Sequence, residues 1–346
     1  MSKTKVLVIV VCLFLLLLNG CSTIGYYSQS VIGHTSLMLA RKPIDDVLET
    51  ADDKLKKKLS TAVEIRRFAS SHLSLPDNKS YTSYVQLKND PPIWNVVAAE
   101  PFSLKAKQWC YLVIGCASYR GYYNKTDAEK YSEKMKAEGY DVALIGATAY
   151  STLGWFADPL TSAMLRRSDA SLAELMFHEL AHQQFYIKND SRFNEAFASA
   201  VGEQGAMVWM NTTGQQELLS EYLLRLSVRD DFLVLINETK VSLKALYESD
   251  LDIDGKSVGK EKIFSDMKLA YEELKKNKWN NKGWYDRWFS YPVNNARLVA
   301  IATYRDLVPS FIALFERCDK KFDRFYQRVE AISKTQDKDL HVDCGL

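Results

Sequence analysis

His178-Glu179-Leu180-Ala181-His182-Gln183 is followed, after twelve residues beyond His182, by Glu195 within Phe193-Asn194-Glu195-Ala196-Phe197-Ala198-Ser199. Read as a helix, the first stretch sets two imidazoles one turn apart on one face and leaves Glu179 on the same side. Two neutral imidazoles so placed can hold a metal ion, while a third ligand from elsewhere leaves one position open for water. Glu179 then stands where it can take a proton from that water. Leu172, Leu175, Met176, Phe177, Leu180, Ala181 and Phe185 make the surroundings apolar, and an unpaired charge there is costly. The alternative is a helix whose core-edge histidines bond to backbone.

The second stretch weighs against that alternative. It opens another apolar helix after a polar turn, Lys188-Asn189-Asp190-Ser191-Arg192, so its first turn returns Glu195 to the two histidines. Glu203, two turns further on, is the second candidate for the third ligand. The run H-E-L-A-H-Q with N-E-x-F-A-S resembles the catalytic signature of gluzincin metallopeptidases, particularly zinc aminopeptidases of the aminopeptidase N type. By that resemblance His178, His182 and Glu195 are zinc ligands and Glu179 is the general base. Those enzymes usually place about eighteen residues before the glutamate, against twelve here.

A wider resemblance runs along nearly the whole chain. Gln108-Trp109-Cys110, Gly115-Cys116, Tyr119-Arg120-Gly121-Tyr122 and Ala149-Tyr150-Ser151-Thr152-Leu153-Gly154-Trp155-Phe156, taken with both zinc blocks, are similar to a family of bacterial lipoproteins described as predicted aminopeptidases. The resemblance implies an α+β, predominantly helical, thermolysin-like catalytic domain with a small sheet, and peptide substrates. It also implies that Tyr150 to Phe156 is a strand along the cleft, able to bind a peptide by strand addition. The Gly-Ala-Met-Glu-Asn segment that binds the substrate amine in the aminopeptidase N type has no counterpart here. An endopeptidase acting on envelope proteins, or a non-catalytic lipoprotein with a structural metal, therefore stands beside the aminopeptidase reading. For the oxyanion donor of such a reaction, Tyr291 in Phe289-Ser290-Tyr291-Pro292 is the first candidate, ahead of Tyr304, Tyr122 and Tyr150. His34, His72 and His341 read as structural.

The N-terminus gives a location. Lys3 and Lys5 precede an apolar run from Val6 to Leu18, too short to span a bilayer but suited to a signal peptide over residues 1–20. Leu18-Asn19-Gly20-Cys21 looks like a lipobox, which makes Cys21 the lipidated first residue of the mature chain. Ser22 after it favours the outer membrane, facing the periplasm. Cys110, Cys116, Cys318 and Cys344 remain, and proximity favours pairing the first two and the last two in an oxidising compartment.

The 346 residues, 47% hydrophobic, are enough for one large domain over 21–346, with a mixed half to about residue 165 and a helical zinc-binding half after it. The net charge of +2 and the lack of a long basic run argue against a nucleic-acid partner, and Lys54-Leu55-Lys56-Lys57-Lys58 reads as the solvated face of a helix. Helix is expected over 35–72, strands over 109–119 and 140–150, and a helix opened by the capping box Thr126-Asp127-Ala128-Glu129 between them. Long helices are expected over 215–247, 260–276 and from 295 to the C-terminus, with a break at Pro309. Asp250-Leu251-Asp252-Ile253-Asp254-Gly255, with Glu261 twelfth, fits the calcium-loop pattern and raises a structural Ca2+, the alternative being a polar turn between helices.

Overall fold

The computed structural model describes residues 25–88, 91–111, 115–147, 152, 156–302 and 305–345. Cys21, Tyr150 and Tyr304, with most of the proposed cleft strand, lie outside the described residues. The expected helix over 35–72 is three helices: α1 (25–39), α2 (Ile44–Thr50) and α3 (Asp53–His72). The breaks fall at β1 (Lys42–Pro43), where Pro43 cannot continue a helix, and at Asp52, whose side chain caps α3 by accepting from the Leu55 N–H. β1 pairs antiparallel with β2 (Ser83–Val85), which later receives β8 (Leu160–Thr161) in parallel.

A second sheet is built on β3 (Ile93–Ala99). β4 (Trp109–Tyr111), β5 (Gly115–Ala117) and β6 (Arg120–Tyr122) follow it in the chain, then α4 (Lys125–Ala137) and β7 (Asp141–Ala147). β3 lies between β6 and β7, antiparallel to both. Along β3 the side chains alternate: Val96 and Ala98 pack with Met135 of α4, while Val97 and Ala99 pack with Ala296 and Val299 of α11 (Asn295–Ala302). Both faces of this sheet are thus covered by helices. The expected single strand over 109–119 is instead the two-stranded pair β4–β5, with Cys110 opposite Cys116 and joined to it by a disulfide. Gly115 adopts φ +79°, which favours glycine. The cap of α4 is also displaced from expectation: Asn124, not Thr126, accepts from the Thr126 and Asp127 N–H groups.

The helical part begins with α5 (Ser162–Leu165) and α6 (Asp169–Gln184) and continues through α7 (Ser191–Thr212), α8 (Gln216–Tyr247), α9 (Ile253–Asn277) and α10 (Asp286–Phe289) to α11. α12 (Val308–Arg317) and α13 (Phe322–Ser333) complete it. Pro309 is at the first turn of α12, where its missing N–H needs no partner, and the expected break falls just before it, in the turn at 305–307. The largest core joins α3, α6, α7, α12 and α13 through aromatic side chains such as Phe177, Phe197, Phe311 and Phe325. A disulfide from Cys318 to Cys344 ties the tail to the end of α12. A second core under α8, α9 and α10 is built from Phe232, Tyr271, Trp279 and their neighbours. Among the described residues no helix is long and apolar enough to cross a membrane.

α11 stitches sheet to helices. Asn295 donates from its side-chain amide to the Glu100 and Pro101 carbonyls at 3.1 and 2.9 Å, while its N–H reaches the Asp141 carboxylate at 3.0 Å. Lys260 of α9 meets the same carboxylate at 2.7 Å.

Candidate metal centre

α6 and α7 form the most extensive helix pair in the molecule, and Gly202 explains how closely they meet. A Cβ at Gly202 would stand 2.7 Å from the Glu174 carbonyl oxygen and 3.2 Å from Cβ of His178, so only glycine fits at that crossing. Ser168 caps α6 by accepting from the Ser171 N–H, and Asp190 caps α7 by accepting from the Phe193 N–H. Between the helices, the buried Asn194 accepts from the Ile187 N–H at 2.8 Å and donates to the Ile187 carbonyl at 2.7 Å. This two-point clip fixes the short connection and the first turn of α7. The glutamate next to it in sequence is Glu195.

The outcome is a cluster of three. Nε2 of His178 lies 3.2 Å from Nε2 of His182, and Oε2 of Glu195 lies 3.4 and 3.6 Å from them. Among the described residues this is the one group of three or more such side chains whose ligand atoms converge, all within 4.8 Å of one another. In a tetrahedral zinc site with bonds of about 2.0–2.1 Å, neighbouring donors stand about 3.3 Å apart. The donor set and its spacing therefore fit a zinc ion without rearrangement. Two imidazole lone pairs pointed at each other would repel, so either one ring carries its proton on Nε2 and donates to the other, or a metal takes both lone pairs. Without metal the proton serves. Burial disfavours a charged His178, but the hydrogen bond to Glu195 and the fields of Glu179, Glu195 and Glu174 override it and raise its pKa. Burial likewise opposes the Glu195 charge, yet hydrogen bonds from His178 and His182 hold its carboxyl well below the usual range. Nδ1 of His182 is buried with no hydrogen-bond partner among the described residues.

Glu179 is 9% exposed and lies on α6 between the two histidines. A second carboxylate on α7 meets a different fate. Glu203 is buried and accepts from Arg229 of α8 at 2.9 Å and from Arg305 at the other oxygen. Arg229 also reaches Glu174 of α6 at 3.5 Å, so one guanidinium ties α6, α7 and α8 together. That occupation leaves Glu195, not Glu203, as the carboxylate beside the histidines.

The far side of α6 is braced by a buried arginine. Arg66 donates to the Pro76, Asn78 and Ser80 carbonyls at 2.8, 2.9 and 2.9 Å. The loop it holds bonds Gln183, next to His182, through Asn78 at 2.8 Å. Tyr81 follows in that loop at φ +63°, its N–H on the Asp158 carbonyl and its hydroxyl buried. Burial first, then the charges of Glu179 and Asp158, raise the Tyr81 pKa. Tyr186 is similarly raised, by burial and then by Glu195. These two tyrosines stand in the electrostatic field of the cluster. Tyr186 continues the four-residue spacing of His178 and His182, a signal the sequence reading passed over; Tyr81 carries none.

Tyr291 is not drawn into the group: it is 53% exposed, and its described contact is with Arg297, whose guanidinium carbon lies 5.3 Å from the ring centre. The calcium-loop expectation is corrected. From Ile253 onward the segment is the start of α9, and the Asp252 carboxylate caps that helix by accepting from the Gly255 N–H at 2.8 Å. A loop that must wrap an ion cannot be helical over most of its length, and Asp254 and Glu261 lie within the helix.

No curated protein and no solved structure matches this chain. A family model described as "Putative aminopeptidase" matches residues 25–341, which include every residue of the cluster, and the chain belongs to that family.

Proposed function

We propose that this chain is a zinc-dependent aminopeptidase of gluzincin type that hydrolyses small peptides. The observation that carries the reading is the convergence of His178, His182 and Glu195 at the spacing of a tetrahedral zinc site, with Glu179 buried between the two histidines. When bound, zinc would supply a Lewis acid and bring the pKa of water toward about 7. The protein's own groups do the rest. Glu179 accepts the proton of the attacking water and returns it to the leaving amine, and the apolar wall of α6 keeps bulk water away. A structural zinc site would close its fourth position and has no use for such a base.

The lipobox ending at Cys21 supports anchoring in the bacterial envelope, and the two disulfides fit an oxidising compartment such as the periplasm. Intact mass and membrane fractionation of Cys21→Ser against the parent chain check this; a parent chain without added lipid mass rejects it.

The function itself is tested by cleavage of a peptide library with zinc-loaded protein beside Glu179→Ala. A loss of about 10²–10⁴-fold in kcat is expected, with zinc content retained. Cleavage undiminished in Glu179→Ala would remove the proposed mechanism.

A further inference from the structure

Beside the metal centre lies a cavity of about 240 Å³ bordered by Glu174, Tyr222, Arg225, Arg229, Trp284 and Tyr285. Glu174 belongs to both places, since it lines the cavity and its field acts on His178 one turn along α6. Two donors on the cavity wall are buried without a partner among the described residues, and a third group, the exposed Arg225, meets only neutral acceptors. Arg225 donates only to the neutral hydroxyls of Ser168, at 3.2 Å, and Ser171; among the described residues no carboxylate lies within ion-pair distance of it. The Tyr222 hydroxyl is buried with no hydrogen-bond partner, because Glu174 approaches it without ordinary bonding geometry. Nε of Arg229 is also buried and unbonded, with Asp230 no nearer than 3.8 Å. Arg229 satisfies its remaining nitrogens on Glu174 and Glu203, which leaves Arg225 as the cation with charge to spare. The two buried donors are costly to leave unpaired, and an anion with two oxygens drawn in by the exposed Arg225 would offer them an acceptor.

The cavity's place along α6 sets the ligand's length. Ser171, which fixes the guanidinium of Arg225, precedes His178 by seven residues, about 10 Å along the axis. An extended peptide covers that distance in about three residues. We infer that Arg225, with Tyr222, binds a peptide carboxylate about three residues from the scissile bond, so that the site selects short peptides by their acidic end. Trp284 and Tyr285 offer flat walls to the side chains in between. The inference rests on the peptidase reading of the neighbouring cluster. The carboxylate has two sources, the C-terminus of a tetrapeptide or an Asp or Glu side chain at the same distance.

The test measures binding rather than turnover. Tetra-alanine as free acid, tetra-alanine amide, and an amide with Glu at the fourth position are titrated into zinc-loaded Glu179→Ala protein. The free acid is expected to bind about tenfold more tightly than the plain amide, the ordinary effect of a charge-assisted hydrogen-bond pair. In Glu179→Ala/Arg225→Gln that ratio falls to about one, and Arg225→Lys in the same background gives a value between, because charge survives and the forked geometry does not. Equal binding of the Glu-bearing amide assigns the pocket to any carboxylate at that distance, and weak binding assigns it to the C-terminus; both uphold the inference. Equal affinity for acid and plain amide, or a ratio that survives Arg225→Gln, overturns it. Repeating the titration without zinc keeps the two readings separable, since a chain that binds no zinc and cuts nothing can still discriminate acid from amide.

Discussion

Glu195 and Glu203 stand two turns apart on α7, and the two ends of that short span have opposite surroundings. At the first, a half-shielded carboxylate faces two imidazoles, each able to turn a lone pair toward a shared ion. At the second, a carboxylate only 4% exposed faces two guanidiniums, permanent cations that complete it. The helix and the residue type are shared; the partners separate a site that can take an added ion from one that is finished. The lesson is that ligand chemistry here is assigned by what the neighbouring helices deliver, α6 with imidazoles and α8 with a guanidinium.

Breaking the finished end has the larger consequence for stability. Glu203→Gln removes the buried counter-charge of the Arg229 and Arg305 guanidiniums, and a loss of about 3–5 kcal/mol is expected in urea unfolding of the metal-free protein. A loss below about 1 kcal/mol would mean that the guanidiniums find other acceptors. Gly202→Ala attacks the crossing that both ends depend on. The added methyl meets the Glu174 backbone oxygen, which cannot rotate away, so α6 and α7 must part and a destabilisation of about 1–3 kcal/mol follows. Weaker metal affinity is expected with it, because the histidines and Glu195 ride on opposite sides of that crossing.

How much of this was readable beforehand follows the same division. The spacing of His178 and His182, the apolar wall around them and the turn before Glu195 are local features, so the metal end of the comparison was legible from residues close together in the chain. Glu203 was not assignable, since Arg229 and Arg305 lie 26 and 102 residues away and no periodicity announces an ion pair of that reach. For the same reason Tyr81 and Arg66 went unread: their role comes from a loop folded back on Gln183. The strand expected over 109–119 failed because its alternation is compatible with one long strand or two short ones, and the choice is made where Gly115 lets the chain return. The calcium pattern failed on competition, in which Asp252 caps a helix and the residues after it follow.

A smaller effect comes from pH, and its signs differ between the ends. The His178 pKa is raised in the folded chain, so its contribution is complete below the unfolded value of about 6.5 and is lost as pH rises through the folded value. The Glu195 pKa is lowered, so its contribution is present above about 4.3 and is lost as pH falls through the folded value. These are one interaction seen from both partners. Metal-free protein is therefore expected to be most stable between those limits and to weaken toward alkaline pH. With zinc the alkaline trend reverses, because the metal needs the deprotonated ring. Melting temperatures across pH 5 to 9 with and without zinc check this, and parallel profiles would break the account of the cluster.

Zinc content decides the comparison most directly. After dialysis against buffered zinc at a temperature where all three proteins are folded, elemental analysis is made of the parent chain, Glu195→Gln and Glu203→Gln. One zinc per chain is predicted in the parent and in Glu203→Gln, and a loss of at least about a hundredfold in affinity in Glu195→Gln. Zinc held equally well by Glu195→Gln would contradict the assignment of the centre.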